Sequence, residues 1–105
     1  MPSEKHAVQI LVIQLWTTDL KPIELAAREA GVDASLTRAD FEAALNAALA
    51  HDHFDLAIFD PTTPGLTREV VEDCFKLHGR DIPLIVLEPG SLSAHISRVI
   101  NLRRN

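Results

Sequence analysis

The sequence has 105 residues, room for one hydrophobic core and one domain. With 47% apolar and 24% charged residues it is composed like a folded globular chain, which excludes a disordered tail or a low-complexity polymer. A formal charge of −5, with basic residues scattered apart from Arg103 and Arg104, argues against a nucleic-acid surface, where clustered Lys and Arg must meet phosphates.

Met1 to His6 carries a single lysine and no small-residue cleavage site, so it does not read as a signal peptide. The longest apolar stretch, Ala7 to Trp16, is interrupted by Gln9 and Gln14 and is too short to span a bilayer. Within it, Val8-Gln9-Ile10-Leu11-Val12-Ile13 is β-branched and nearly continuous in its apolar character, the pattern of a strand covered on both faces. Asp19 is a candidate cap and Pro22 suits a first helical turn; Ile23, Leu25, Ala26 and Ala30 follow, and Gly31 supplies a stop.

Ala34 to Thr37 is a short strand candidate. Thr37 and Asp40 have capping-box spacing, and Phe41, Leu45 and Leu49 form an apolar stripe at helical spacing. Phe54 to Phe59 is the next strand, ended by Asp60 and by a loop, Pro61-Thr62-Thr63-Pro64-Gly65, that cannot continue a ladder. Thr67 caps a helix carrying Val70, Val71, Cys74, Phe75 and Leu77, closed by Gly79. Ile82 to Leu87 is a fourth buried strand with Pro83 near its start, where proline is tolerated. After Pro89-Gly90, Ser91 or Ser93 caps a last helix with Ile96, Val99, Ile100 and Leu102 inward.

Alternation of strands and helices at this spacing implies right-handed crossovers and a parallel sheet between two helical layers. Ligands of such sheets bind beyond the carboxyl ends of the strands. Those ends carry Gln14, Leu15, Asp60, Thr62 and Glu88.

Asp60 ends an apolar strand and precedes a loop built on Pro64-Gly65. Read by position, it is a strand-end carboxylate that caps the loop through backbone N–H groups. The segment Asp55 to Gly65 also resembles the phosphoacceptor strand and loop of response-regulator receiver domains, in which an aspartate ends the third strand and a proline follows four positions later, as Asp60 and Pro64 do. Arg80-Asp81-Ile82-Pro83-Leu84-Ile85-Val86-Leu87 looks like that family's fourth strand. The resemblance runs from Val8 to about Leu102. It implies a flavodoxin-like doubly wound α/β sheet of order 2-1-3-4 in three α/β/α layers, with the fifth strand missing, and Asp60 as the phosphoacceptor-equivalent residue.

The departures from the family are informative. The acidic pair that ends the first strand of receivers and holds Mg²⁺ is replaced by Gln14 and Leu15. Mg²⁺ demands hard, mostly anionic oxygens; one offers a neutral carbonyl and the other nothing. Metal assistance is worth several kcal/mol, so its loss implies phosphorylation slowed by roughly a thousandfold. The family's Ser or Thr after the fourth strand appears as Glu88, which would repel a phosphoryl group. Its lysine after the fifth strand has no counterpart.

The resemblance therefore implies an atypical receiver, or pseudo-receiver, of a two-component or cyclic-dinucleotide signalling protein. It would be a cytoplasmic input or dimerisation module, not an enzyme, with no catalytic residue, no metal ligand and Mg²⁺ binding weak or absent. One alternative is a working receiver phosphorylated on Asp60 by a histidine kinase. Another is a small haloacid-dehalogenase-like phosphatase, since Ile58 to Thr63 is similar to that family's nucleophile loop; there, however, the general acid sits where this chain has Thr62.

The remaining candidates read as structural. His51-Asp52-His53 supplies too few ligands for a closed metal site. The lone Cys74 lies among apolar helix positions, allows no internal disulfide and suits a reducing compartment. Leu15-Trp16-Thr17-Thr18-Asp19 has no glycine to cradle a phosphate. Trp16 is positioned either to fill the space of the missing acidic pair or to pack on the first helix. Without a fifth strand, Ile82 to Leu87 is an open edge. The expectations are a piece of a longer signalling protein with an attached output domain, and a homodimer formed through the fourth strand and last helix.

Overall fold

A computed structural model describes the backbone of residues 8–87 and 92–104 and the side chains of 8–87 and 92–101. Strand β1 (Val8–Ile13) is flanked in parallel by β2 (Ala34–Ala39) and β3 (Leu56–Phe59). This central place explains its unbroken apolar run. Ile10 and Val12 enter the core on one face, Leu11 and Ile13 the core on the other, and all four are fully buried. Strand β4 (Leu84–Val86) pairs in parallel with β3, giving the order β2-β1-β3-β4 that the family resemblance implies.

Helices α1 (Lys21–Glu29) and α4 (Leu92–Arg104) pack together on one face of the sheet, and α2 (Glu42–His51) and α3 (Arg68–Leu77) on the other. On the first face Ile23 and Ala27 of α1 and Leu92, Ile96 and Ile100 of α4 cover Ile10, Val12, Ile58 and Ile85. The i, i+4, i+8 spacing of the α4 residues puts them on one stripe. On the second face Leu45, Leu49, Val71, Cys74 and Phe75 cover Leu11, Ile13, Ala57 and Phe59. Each fully buried aliphatic side chain stabilises the fold by about 1.5–3 kcal/mol relative to exposure. Among the described residues no helix is long and apolar enough to cross a membrane.

Several boundaries differ from expectation. The capping box at Thr37 and Asp40 does not form. Thr37 lies in β2 opposite Leu11, β2 runs two residues further than Thr37, and α2 starts from an extended Phe41 with no side-chain cap. Six register pairs with β1 hold this segment extended, which outweighs a cap worth about 1 kcal/mol. Phe41 is exposed, so the stripe on α2 is Leu45 and Leu49 alone. Strand β3 is shorter than Phe54–Phe59; ahead of it, Asp55 N–H donates to the Gln9 carbonyl and Asp55 Oδ2 accepts from Gln9 N–H. Strand β4 is likewise shorter than Ile82–Leu87.

At the helix ends, Asp19 Oδ1 accepts from Lys21 N–H at 2.9 Å, but the N-cap position itself is Leu20. Thr67 caps α3 as expected, its hydroxyl accepting from Val70 N–H. Helix α4 begins at Leu92, so Ser93 lies inside it and is no cap; Ser91 falls outside the described residues. Leu25 and Leu77 face solvent, because Ala26 and Ala27 fill the buried stripe of α1 and Val71, Cys74 and Phe75 that of α3. Gly31 (φ 76°) and Gly79 (φ 63°) follow α1 and α3 in the left-handed conformation that ends helices.

Candidate functional site

The ladders on either side of β1 continue one residue past its end. Gln14 N–H donates to the Ala39 carbonyl at 3.1 Å, and Asp60 N–H to the Ile13 carbonyl at 2.9 Å. Gln14 and Asp60 are thereby set side by side at the carboxyl edge of the sheet, and Gln14 Nε2 donates to Asp60 Oδ2 at 3.3 Å. By its place in the sequence Gln14 reads only as a poor carbonyl ligand. The structure turns its amide N–H toward the carboxylate instead, and leaves Gln14 Oε1 buried without a partner.

The other carboxylate oxygen is also engaged. Asp60 Oδ1 accepts from Thr62 N–H at 2.9 Å and from Thr62 Oγ1 at 2.7 Å, a turn in which an aspartate organises the two residues after it. The loop-capping reading of Asp60 thus describes its bonds. Burial pushes the Asp60 carboxyl upward, but the hydrogen bonds from Thr62 and Gln14 outweigh this and hold it below its ordinary value. Thr63, which no sequence motif marks, is buried and donates from Oγ1 to the Asp60 carbonyl at 2.7 Å, closing the loop from beneath.

The loop after β1 is organised by a residue that belongs to no sequence motif. Arg38, in β2, donates from Nη1 to the carbonyls of Leu15 and Trp16 and from Nη2 to that of Thr18. Its guanidinium also lies 5.4 Å from the centre of the Trp16 ring. Trp16 is 64% exposed and Leu15 38%. Trp16 therefore does not fill the space beside Asp60, and its ring lies against the guanidinium that holds the loop.

Beside Asp60 and Thr62, a cleft of about 680 Å³ opens between α1 and α4, lined on its apolar side by Leu25, Ala26, Leu87 and Leu92. Glu88, expected at this edge, lies outside the described residues. Of the predicted site residues, the structure brings Gln14, Asp60 and Thr62 together and leaves Leu15 pointing to solvent. Among the described residues no three His, Cys, Asp or Glu side chains group as a metal site. His51 and His53 are exposed, and His53 Nδ1 lies 3.3 Å from Arg80 Nη1. Cys74 is buried in the core, and burial, joined by the charges of Glu42 and Asp73, pushes its thiol up.

Sheet order and helix placement define a receiver-like α/β fold. The chain is similar in structure to the receiver domain of a sensor histidine kinase from Pseudomonas aeruginosa PAO1, with a TM-score of 0.69 and 14% sequence identity, covering 92% of this chain and 97% of that one. That domain holds a magnesium ion in its active-site cleft. No family model and no curated protein sequence matches this chain.

Proposed function

We propose that this chain is a pseudo-receiver: a signalling module in which Asp60 is retained as a structural carboxylate and no longer accepts a phosphoryl group efficiently. The observation that carries this reading is the state of Asp60 itself. Both of its oxygens take hydrogen bonds from neighbouring side chains, and the residue beside it is a neutral amide.

A divalent ion fits this donor set poorly. Mg²⁺ wants an octahedron of hard oxygens with at least one or two carboxylates. Asp60 would have to give up its bond from Gln14, and Gln14 would have to reverse its amide to present oxygen. Leu15 contributes no side-chain ligand. Without the cation, charge developing on a transferred phosphoryl group is left uncompensated beside a carboxylate. Such a module acts by contact with another domain or protein, and an attached output domain or a histidine kinase remains the natural kind of partner for it.

Incubation with acetyl phosphate and Mg²⁺, followed by intact-mass measurement, tests the proposal. The expected result is no added phosphoryl group under conditions that label a working receiver. Stoichiometric labelling that disappears in Asp60→Asn would overturn it and establish the alternative of a phosphorylated receiver.

A further inference from the structure

Strand β4 ends the sheet, and among the described residues nothing pairs with its far side. The Pro83 carbonyl accepts from Ala57 N–H at 2.9 Å and Leu87 N–H donates to Phe59 at 2.7 Å. Backbone groups alternate in direction along a strand, so the amides of Leu84 and Val86 point away from β3, to the side on which no described residue pairs with them. That edge floors a groove of about 270 Å³ between the start of α3 and the side of α4.

The walls of the groove are basic. Arg68 stands on one side and His95 and Arg98 on the other, with Val99 beneath them. His95 and Arg98 make no hydrogen bond or ion pair among the described residues, whereas Arg68 shares Glu72 at 3.1 Å with both side chains exposed. On a chain of net charge −5 this is a local reversal of sign.

We infer that the free edge of β4 accepts an extended acidic segment of another polypeptide as an added strand. Main-chain bonds to Leu84 and Val86 would supply affinity, and Arg98 and His95, on the α4 face, the selectivity for acidic side chains at alternate positions of the added strand, which share that face. A parallel strand following directly on helix α4 is disfavoured at this edge. The helix lies on the face of α1, and a crossover from β4 to a neighbouring strand on that face would be left-handed, which parallel sheets almost never allow. A second copy is disfavoured too: antiparallel pairing of two β4 edges would set both α4 helices on one face and oppose their Arg98 side chains.

A fluorescein-labelled short peptide of alternating Val and Glu, titrated against the full chain by anisotropy, tests this, with its Val/Lys counterpart as control. The Glu peptide is expected to bind, and the Lys peptide to bind at least about tenfold more weakly. Val86→Pro removes an outward N–H while sparing the ladder to β3, and the exposed Arg98→Glu reverses the groove's charge. Each should lower affinity about tenfold or more. Equal affinity for both peptides would overturn the inference, as would binding unchanged in Arg98→Glu, which decides the matter if Val86→Pro unfolds. A concentration-dependent dimer that Arg98→Glu does not weaken, seen by sedimentation, would equally overturn it and give the edge to a second copy.

Discussion

Replacing Thr62 with alanine isolates the bond that most directly distinguishes a structural Asp60 from an acceptor. The substitution removes the 2.7 Å bond from Thr62 Oγ1 and leaves the backbone N–H bond and the bond from Gln14 in place. A hydrogen bond to a charged group contributes about 1.5–3 kcal/mol in a sheltered site. Thr62 is exposed and Asp60 only half-buried, so solvent screening reduces the expected loss to about 0.5–1 kcal/mol at neutral pH. The effect has a pH signature. Asp60 titrates lower in the folded chain than its ordinary 3.8, so its contribution is present above that value and is lost as pH falls through the folded pKa. Thr62→Ala raises the folded pKa back toward 3.8, so the gap between the two proteins narrows on acidification. Urea denaturation at neutral pH and at a series of acidic pH values measures the gap, and carboxyl NMR titration reads Asp60 directly. A destabilisation that stays constant down to acid, or an Asp60 pKa unmoved by the substitution, would refute the reasoning.

Other perturbations follow from the packing. Ile96→Ala, at a fully buried position under α4, should cost about 2–5 kcal/mol in chemical denaturation, because it leaves a cavity against Ile10 and Ile58. Thr67→Ala removes the cap of α3 and should cost about 1 kcal/mol by the same assay. Cys74 should react with a thiol reagent at neutral pH only as fast as the chain opens, since its thiol is buried and raised; rapid native-state labelling would contradict its core placement. Arg38→Ala should leave the sheet intact while increasing amide exchange across residues 15–18, since it holds the carbonyls of Leu15, Trp16 and Thr18.

The fold was legible because its two central strands are buried on both sides. The run Ile10 to Ile13 has no polar position to spare, and only a central parallel strand asks for that. Asp60 and Gln14 could be placed at one edge for a related reason: each follows directly on such a run. What they do to each other could not be read, because an amide can offer either its oxygen or its N–H, and only the neighbouring carboxylate decides. Arg38 was invisible for a different reason. Its three carbonyl partners lie 20 to 23 positions back along the chain, and no local pattern announces a contact across strands. The false capping box at Thr37 and Asp40 shows the converse, a local signal overruled by pairing with β1.

The joint packing of α1 and α4 sets the order in which the molecule can be completed during synthesis. Once Leu87 has left the ribosome, all four strands exist and α2 and α3 can already shield their side. The opposite side, with Ile58 and Ile85, keeps an oily surface in water until Ile96 and Ile100 have emerged. A nascent chain halted in that interval would be a ready target for holdase chaperones, and a frameshift there would yield a sticky product rather than a smaller working one.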